Sequence, residues 1–63
     1  MIYEVYKKWA EKYGGIDGAI KKGFCIIWDA ERIKKAFNHG NGTEKDFNRY
    51  KKDNSKYCHF ITR

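Results

Sequence analysis

The sequence contains no apolar segment long enough to cross a membrane. A membrane-spanning helix needs about 20 predominantly apolar residues, whereas the hydrophobic 41% of this 63-residue chain is spread along its length. Residues 1–13 carry charges where a secretory signal peptide needs an uninterrupted apolar stretch. We therefore predict a cytoplasmic protein, complete as written, that contacts no membrane.

The chain also lacks the length of a large enzyme. A domain of 63 residues buries only about 60% of its unfolded surface, which leaves one thin core and no deep substrate cavity. We therefore expect a single domain over residues 1–63. No Ser-His-Asp or Cys-His arrangement and no paired carboxylates can be built from the sequence order. These absences favour a non-catalytic function, with a minimal metalloenzyme holding a zinc-bound water as the catalytic alternative.

Cysteine and histidine are scarce, with two of each. A disulfide is not expected in a cytosolic chain, but two thiols and two imidazoles are the ligand set of a structural Cys2His2 zinc site. The predicted zinc ligands are Cys25, His39, Cys58 and His59, with Asp29 or Asp53 as a substitute fourth ligand.

The spacing of these four residues does not help the zinc prediction. The sequence has no Cys-x-x-Cys knuckle and no His-x3–5-His pair. Neighbouring residues of a regular strand point to opposite faces, so Cys58 and His59 bind one ion only if the backbone turns there or the ion lies between two chains. The alternative is that both cysteines are buried small apolar residues and both histidines are surface residues.

Hydrophobic spacing predicts the first half of the fold as helical. Apolar residues at i, i+3, i+4 and i+7 predict an amphipathic helix over residues 2–13, with Glu4/Lys8 and Lys7/Glu11 pairs on its outer side. Two glycines at positions 14 and 15 end this helix. A short helix over residues 16–22 follows, and the β-branched apolar run at 24–28 predicts a buried strand.

The second half is predicted as two helices and a closing strand. Asp29 is the expected N-cap of a helix that extends to residue 38, and Thr43 is the expected cap of the next helix, in a capping box with Asp46. Alternation over residues 56–63 predicts a strand that pairs with residues 24–28. The predicted fold is α+β, with about four short helices on one face of a two-stranded β-ribbon, which the helices, a zinc ion or a second copy of the chain must stabilise.

The net charge is +6, and the excess of cations lies beyond residue 20. Lysine and arginine at spacings of four, three and four share one helical face, and two lysine doublets precede them, at residues 21–22 and 34–35. The predicted partner-binding residues are Lys34, Lys35, Lys45, Arg49, Lys52 and Lys56. On DNA they would contact phosphates, with Asn48 as the one reader of a base edge. The alternative is an ordinary solvated surface that confers solubility.

The glycine-bearing turn and the high aromatic content of the sequence could both contribute to binding. Residues 39–43 form a glycine-bearing turn before a helix, a place where backbone N–H groups bind phosphate, but the phosphate-loop pattern is missing and a plain connection explains the glycines.

Two tryptophans, five tyrosines and four phenylalanines exceed the needs of a small core, so Tyr3, Trp28 and Tyr57 are candidate exposed anchors. The expected core aromatics are Tyr6, Trp9, Phe24, Phe37, Phe47 and Phe60.

The chain is short, its composition is AT-biased and rich in Lys, Ile, Tyr and Asn, and it lacks any housekeeping motif. In these respects the sequence resembles small bacteriophage and mobile-element proteins that act against host machinery. These include the anti-CRISPR inhibitors of RNA-guided nucleases. The resemblance covers no specific residues. It implies stoichiometric binding to an effector nuclease that blocks guide or target DNA loading. We therefore expect a non-catalytic inhibitor of a host protein or nucleoprotein, and the alternative is a basic DNA- or RNA-binding regulator.

Overall fold

Four helices and three strands make up the part of the chain that the computed structural model describes, residues 1–37 and 42–63. In chain order they are β1 (Ile2–Tyr6), α1 (Lys7–Lys12), α2 (Ile16–Lys21), β2 (Ile26–Trp28), α3 (Ala30–Ala36), α4 (Thr43–Asn54) and β3 (Cys58–Thr62). The predicted α+β class and the four helices are confirmed, and the described sheet has three strands instead of two.

The strands form one antiparallel sheet in the order β2-β1-β3. Glu4 of β1 lies opposite Ile26 of β2 on one side and opposite Phe60 of β3 on the other. The predicted pairing of residues 24–28 with the last strand is therefore wrong, because β1 separates the two. The first strand along the chain is the central strand of the sheet.

Strand β1 is buried on both of its faces. Val5 is fully buried and its neighbour Glu4 is 2% exposed, although successive side chains of a strand point to opposite faces. Helices α1 and α2 cover the Val5 face, where Ala10 and Ala19 complete an apolar core. Helix α4 covers the Glu4 face, where the Tyr50 side chain reaches the Glu4 carboxylate. The predicted packing of all helices on one face is therefore wrong.

The predicted helix over residues 2–13 is correct only in its second part. Residues Ile2–Tyr6 form a strand, and helix α1 begins at Lys7. Because both faces of β1 are covered, its apolar residues are not confined to alternate positions, and positions 2, 5 and 6 also fit a helical stripe. The predicted Glu4/Lys8 pair on a helix exterior is wrong for the same reason, since Glu4 lies inside the protein.

Local signals place several helix ends correctly. Gly14 and Gly15 follow α1 at φ values of 81° and 103°, a backbone region that favours glycine, so they terminate the helix as predicted. The Asp29 carboxylate accepts a hydrogen bond from the backbone N–H of Arg32 at 2.7 Å, which confirms Asp29 as the N-cap of α3.

The start of α4 differs from the prediction. The helix begins at Thr43 itself, its N-cap position is Gly42, and no side chain caps it. The predicted capping box of Thr43 and Asp46 is therefore wrong, because Thr43 lies one residue inside the helix. The predicted end of α3 at residue 38 and most of the glycine-bearing turn at 39–43 lie outside the described residues.

Aromatic side chains of β2 and α4, together with Phe37 at the end of α3, form the core on the Glu4 face. The ring centroids of Trp28, Phe37, Phe47 and Tyr50 lie between 5.4 and 6.2 Å from one another. Phe47 is buried, as predicted, and Trp28 is buried as well, so its predicted role as an exposed anchor is wrong. This cluster attaches α4 to the sheet.

Candidate functional site

A buried carboxylate connects the sheet to α4. Oε1 of Glu4, on β1, accepts hydrogen bonds from Nε1 of Trp28 on β2, at 3.0 Å, and from the hydroxyl of Tyr50 on α4, at 2.6 Å. Oε2 of Glu4 accepts from the Cys58 thiol on β3, at 3.6 Å. These four residues form what we call the Glu4 cluster. A carboxylate accepts hydrogen bonds and its three partners donate them, so donors on β2, α4 and β3 satisfy the hydrogen-bonding capacity of the buried Glu4 side chain.

The Glu4 cluster keeps its two weak acids protonated. Burial, with the nearby Glu4 charge as the next cause, raises the pKa of the Cys58 thiol to about 11. Burial, followed by the hydrogen bond to Glu4 and the Glu4 charge, raises the pKa of the Tyr50 hydroxyl well above its ordinary value. Since a protonated thiol is a poor nucleophile, the geometry gives Cys58 a packing and hydrogen-bonding role. The cluster fixes the position of α4 and carries no arrangement for covalent chemistry.

We expect the free energy of unfolding to decrease as the pH rises through the range from 9.0 to about 11. The Cys58 thiol ionises near its ordinary pKa of 9.0 in the unfolded chain but near 11 in the folded protein, so its contribution is complete below pH 9 and is lost through this window. Tyr50 acts in the same direction because its pKa is also raised. Urea unfolding followed by circular dichroism at several alkaline pH values measures this loss.

Two tyrosine variants provide the control for the alkaline experiment. Tyr50→Phe removes a phenol of the cluster and should reduce the loss of stability above pH 10.0, the ordinary pKa of tyrosine, whereas Tyr57→Phe removes an exposed phenol and should leave the loss unchanged. A stability profile of the native sequence that is flat across this window would contradict the hydrogen-bonded arrangement of the cluster.

The outer side of α4 carries the predicted cations. Phe47 and Tyr50 face the sheet, and the opposite side of the helix carries Lys45, Arg49 and Lys52, all of which are exposed. Lys56 is exposed in the turn that follows the helix. We call these four cations the basic face. Within the described ranges 1–37 and 42–63, the single ion pair joins Arg63 to Asp17, so the basic face has no acidic partner there.

The structure places the predicted doublet Lys34 and Lys35 in the last turn of α3. Lys34 lines a surface cleft of about 470 Å³ between α3 and α4, together with Asn48 and Lys51. Lys35 lies in a smaller cleft of about 280 Å³ beside the acidic residues Asp29 and Glu31. Glu44 also lines the Lys34 cleft, so each lysine of the doublet has an acidic residue nearby, and Lys34 lies on the charged surface next to α4.

The described residues do not bring the predicted zinc ligands together. Among residues 1–37 and 42–63, no three histidine, cysteine or acidic side chains form a group that could hold a metal ion. Cys25 packs against the apolar core under α1 and α2, whereas Cys58 donates to Glu4 on the other side of the sheet. His59 lines a surface cavity beside Gly15, and His39 lies outside the described residues.

The exposed aromatic residues are only partly those predicted. Tyr57 is 65% exposed, as expected for an anchor, whereas Tyr3 is half-buried. Tyr6, which is predicted as a core residue, is 42% exposed because β1 ends there and the chain turns into α1. Glu4 is the functional position that the sequence analysis misses. The one available signal is an acidic residue within the apolar β-branched and aromatic run of residues 2–6.

Comparison with known proteins identifies no relative: no protein-family model, no curated protein and no solved structure matches the chain. In the described part of the chain, no helix combines the length and the apolar character needed to span a bilayer. The functional assignment therefore depends on the surface of the molecule.

Proposed function

We propose that the protein is a non-catalytic binding module that holds an anionic macromolecule, a nucleic acid alone or within a nucleoprotein, on its basic face. The observation that carries the proposal is the arrangement of Lys45, Arg49 and Lys52 on the solvent side of α4, with Lys56 continuing the row. Phosphate groups are the partners that such a row of cations contacts.

Two properties of α4 support this function over simple solvation. The helix is attached to the sheet through the Tyr50 hydrogen bond to Glu4 and through the buried ring of Phe47, so its cations are presented from a fixed scaffold. The cations are also separate from the one ion pair of the described residues, Asp17–Arg63, which lies elsewhere. Although Glu44, Asp46 and Asp53 lie on the same helix, a row of exposed cations that forms no ion pair within the described residues attracts a polyanion.

Several sequence-based expectations stay predictions beside this proposal. An RNA-guided nuclease as the partner, with inhibition of the anti-CRISPR type, rests on the resemblance alone. A structural zinc ion, a homodimer and a cytoplasmic location rest on the sequence alone. An inhibitor and a regulator would use the same basic face, and they differ in whether the bound nucleic acid is free or held within a host complex.

Binding to a fluorescent DNA duplex of about 20 base pairs, measured by anisotropy as the salt concentration rises, tests the proposal. If all four cations contact phosphates, the plot of log affinity against log salt should have a slope of about −3 to −4. A triple variant with Lys45→Gln, Arg49→Gln and Lys52→Gln should lower the affinity at least about 10-fold at low salt and bring the slope to about −1.

The matched control removes the same charge from the other side of the sheet. Lys12, Lys21 and Lys22 are exposed residues on or next to α1 and α2, and their triple replacement by glutamine lowers the net charge equally. It should change the affinity and the slope much less. Absence of binding at low salt to both the duplex and a single-stranded DNA of the same length, or equal losses in the two triple variants, would overturn the proposed function.

A further inference from the structure

Two exposed tyrosines and three lysines line a cleft at the end of the sheet where α4 returns to β3. The cleft has a volume of about 380 Å³ and is lined by Tyr6, Lys7, Lys8, Lys56 and Tyr57. Its size falls within the range of about 300–1,000 Å³ that is typical of ligand sites. Lys56 belongs both to this cleft and to the basic face, so the row of cations on α4 leads directly into it.

The backbone of both tyrosines is held by hydrogen bonds or by strand pairing. The carbonyl of Tyr57 accepts a hydrogen bond from the N–H of Lys7 at 2.8 Å, and the N–H of Tyr57 donates to the carbonyl of Asn54 at 3.0 Å. Tyr6 is the last residue of β1 and lies opposite Cys58 in the sheet. Tyr57 is 65% exposed and Tyr6 is 42% exposed, while the backbone of both residues is held in place.

A second cleft continues this surface. It has a volume of about 470 Å³ and is lined by Tyr6, Lys8 and Trp9. The Trp9 ring meets the Tyr6 ring edge to face, with their centroids 4.8 Å apart. Because the two clefts share Tyr6 and Lys8, the structure presents a series of aromatic rings with lysines beside it. No acidic residue lines either cleft in the described part of the chain.

From this surface we infer that the ligand class of the binding module is single-stranded nucleic acid, a refinement that rests on the proposed function. Unpaired bases would stack on Tyr57 and Tyr6, and the phosphates would contact Lys7, Lys8 and Lys56. Alternating aromatic and cationic groups are the recognition elements of single-strand binding, since every base has a flat face and every nucleotide a charge. A duplex hides its base faces within the stack and would leave the tyrosines unused.

Tyr57 variants test this inference, with a fluorescent oligothymidylate of about 20 nucleotides and a duplex of the same length as the two probes. Tyr57→Ala should lower the affinity for the oligothymidylate about 10-fold and change the duplex affinity by less than about 2-fold. The salt slope should stay the same because no charge is removed. Tyr57→Phe retains the ring and should bind as the native sequence does, and Tyr6→Leu should reproduce the single-strand loss.

The other outcomes of the two-probe experiment each contradict the single-strand inference, the proposed function or both. Equal binding of both probes, unaffected by Tyr57→Ala, would overturn the single-strand inference and leave the proposed function intact. Binding of neither probe at low salt would overturn both. Displacement of the oligothymidylate by a polyglutamate peptide, with a loss of peptide affinity in Tyr57→Ala, would overturn the inference in favour of an acidic protein segment. Circular dichroism of each variant checks the fold.

Discussion

Glu4→Ala is expected to remove a large part of the folding stability of this protein. The substitution leaves the Trp28 N–H, the Tyr50 hydroxyl and the Cys58 thiol without the acceptor that they share. Hydrogen bonds to a charged group contribute about 1.5–3 kcal/mol each, so we expect a loss of about 4 kcal/mol or more. A chain of 63 residues has a total stability of only about 3–9 kcal/mol. Urea unfolding monitored by circular dichroism measures the loss.

Two further variants distinguish the role of the carboxylate from a general effect of charge. Glu4→Gln preserves the shape and one acceptor oxygen, so we expect a smaller loss of about 1–2 kcal/mol. Glu11→Ala removes the same charge from an exposed position on α1 and should change the stability by less than about 0.5 kcal/mol. A Glu4→Ala protein with the stability of Glu11→Ala would show that the Glu4 cluster does not hold α4 to the sheet.

Gly18→Ala is expected to destabilise the protein although alanine is the better helix former. In an exposed helix interior this replacement stabilises by about 1 kcal/mol. A Cβ atom at position 18, however, would lie 1.8 Å from the Tyr13 carbonyl oxygen and 2.9 Å from its carbonyl carbon. Because these are backbone atoms, the end of α1 and helix α2 must move apart. We expect a loss of about 3 kcal/mol, at the upper end of the cost of overpacking.

Thermal unfolding monitored by circular dichroism tests the effect at Gly18. Lys21→Ala is the matched control, because Lys21 is an exposed residue of the same helix and gains no close contact on replacement. It should shift the melting temperature by only a few degrees. A melting temperature of Gly18→Ala equal to or above that of the native sequence would contradict the close packing of α1 and α2.

The sequence predicts the elements whose signals are local. Asp29 at a helix start and two glycines at a helix end act through their immediate neighbours, so they can be identified without the fold. The spacing of Phe47 and Tyr50 likewise identifies the buried side of α4, and with it the solvent side that carries Lys45, Arg49 and Lys52. Most of the basic face was therefore predictable from helical periodicity.

The prediction fails where residues act through distant partners. The bonds of Glu4 span 24, 46 and 54 positions in the chain, and no local pattern specifies such separations. The helical interpretation of residues 2–6 fails for a related reason, since the alternation that marks a half-buried strand disappears when helices cover both faces. The tyrosine cleft joins residues 6–8 to residues 56 and 57, and only strand pairing makes them neighbours.

The amino-acid sequence by itself determined the α+β class, the four helices, the last strand and the charged side of α4, because each depends on spacing within one short segment. The tertiary structure decided that the first strand is central, that Glu4 is buried and bonded from three elements, and that Tyr6 and Tyr57 share an exposed cleft. These features depend on which segments pair and which faces are covered, and long-range packing sets both.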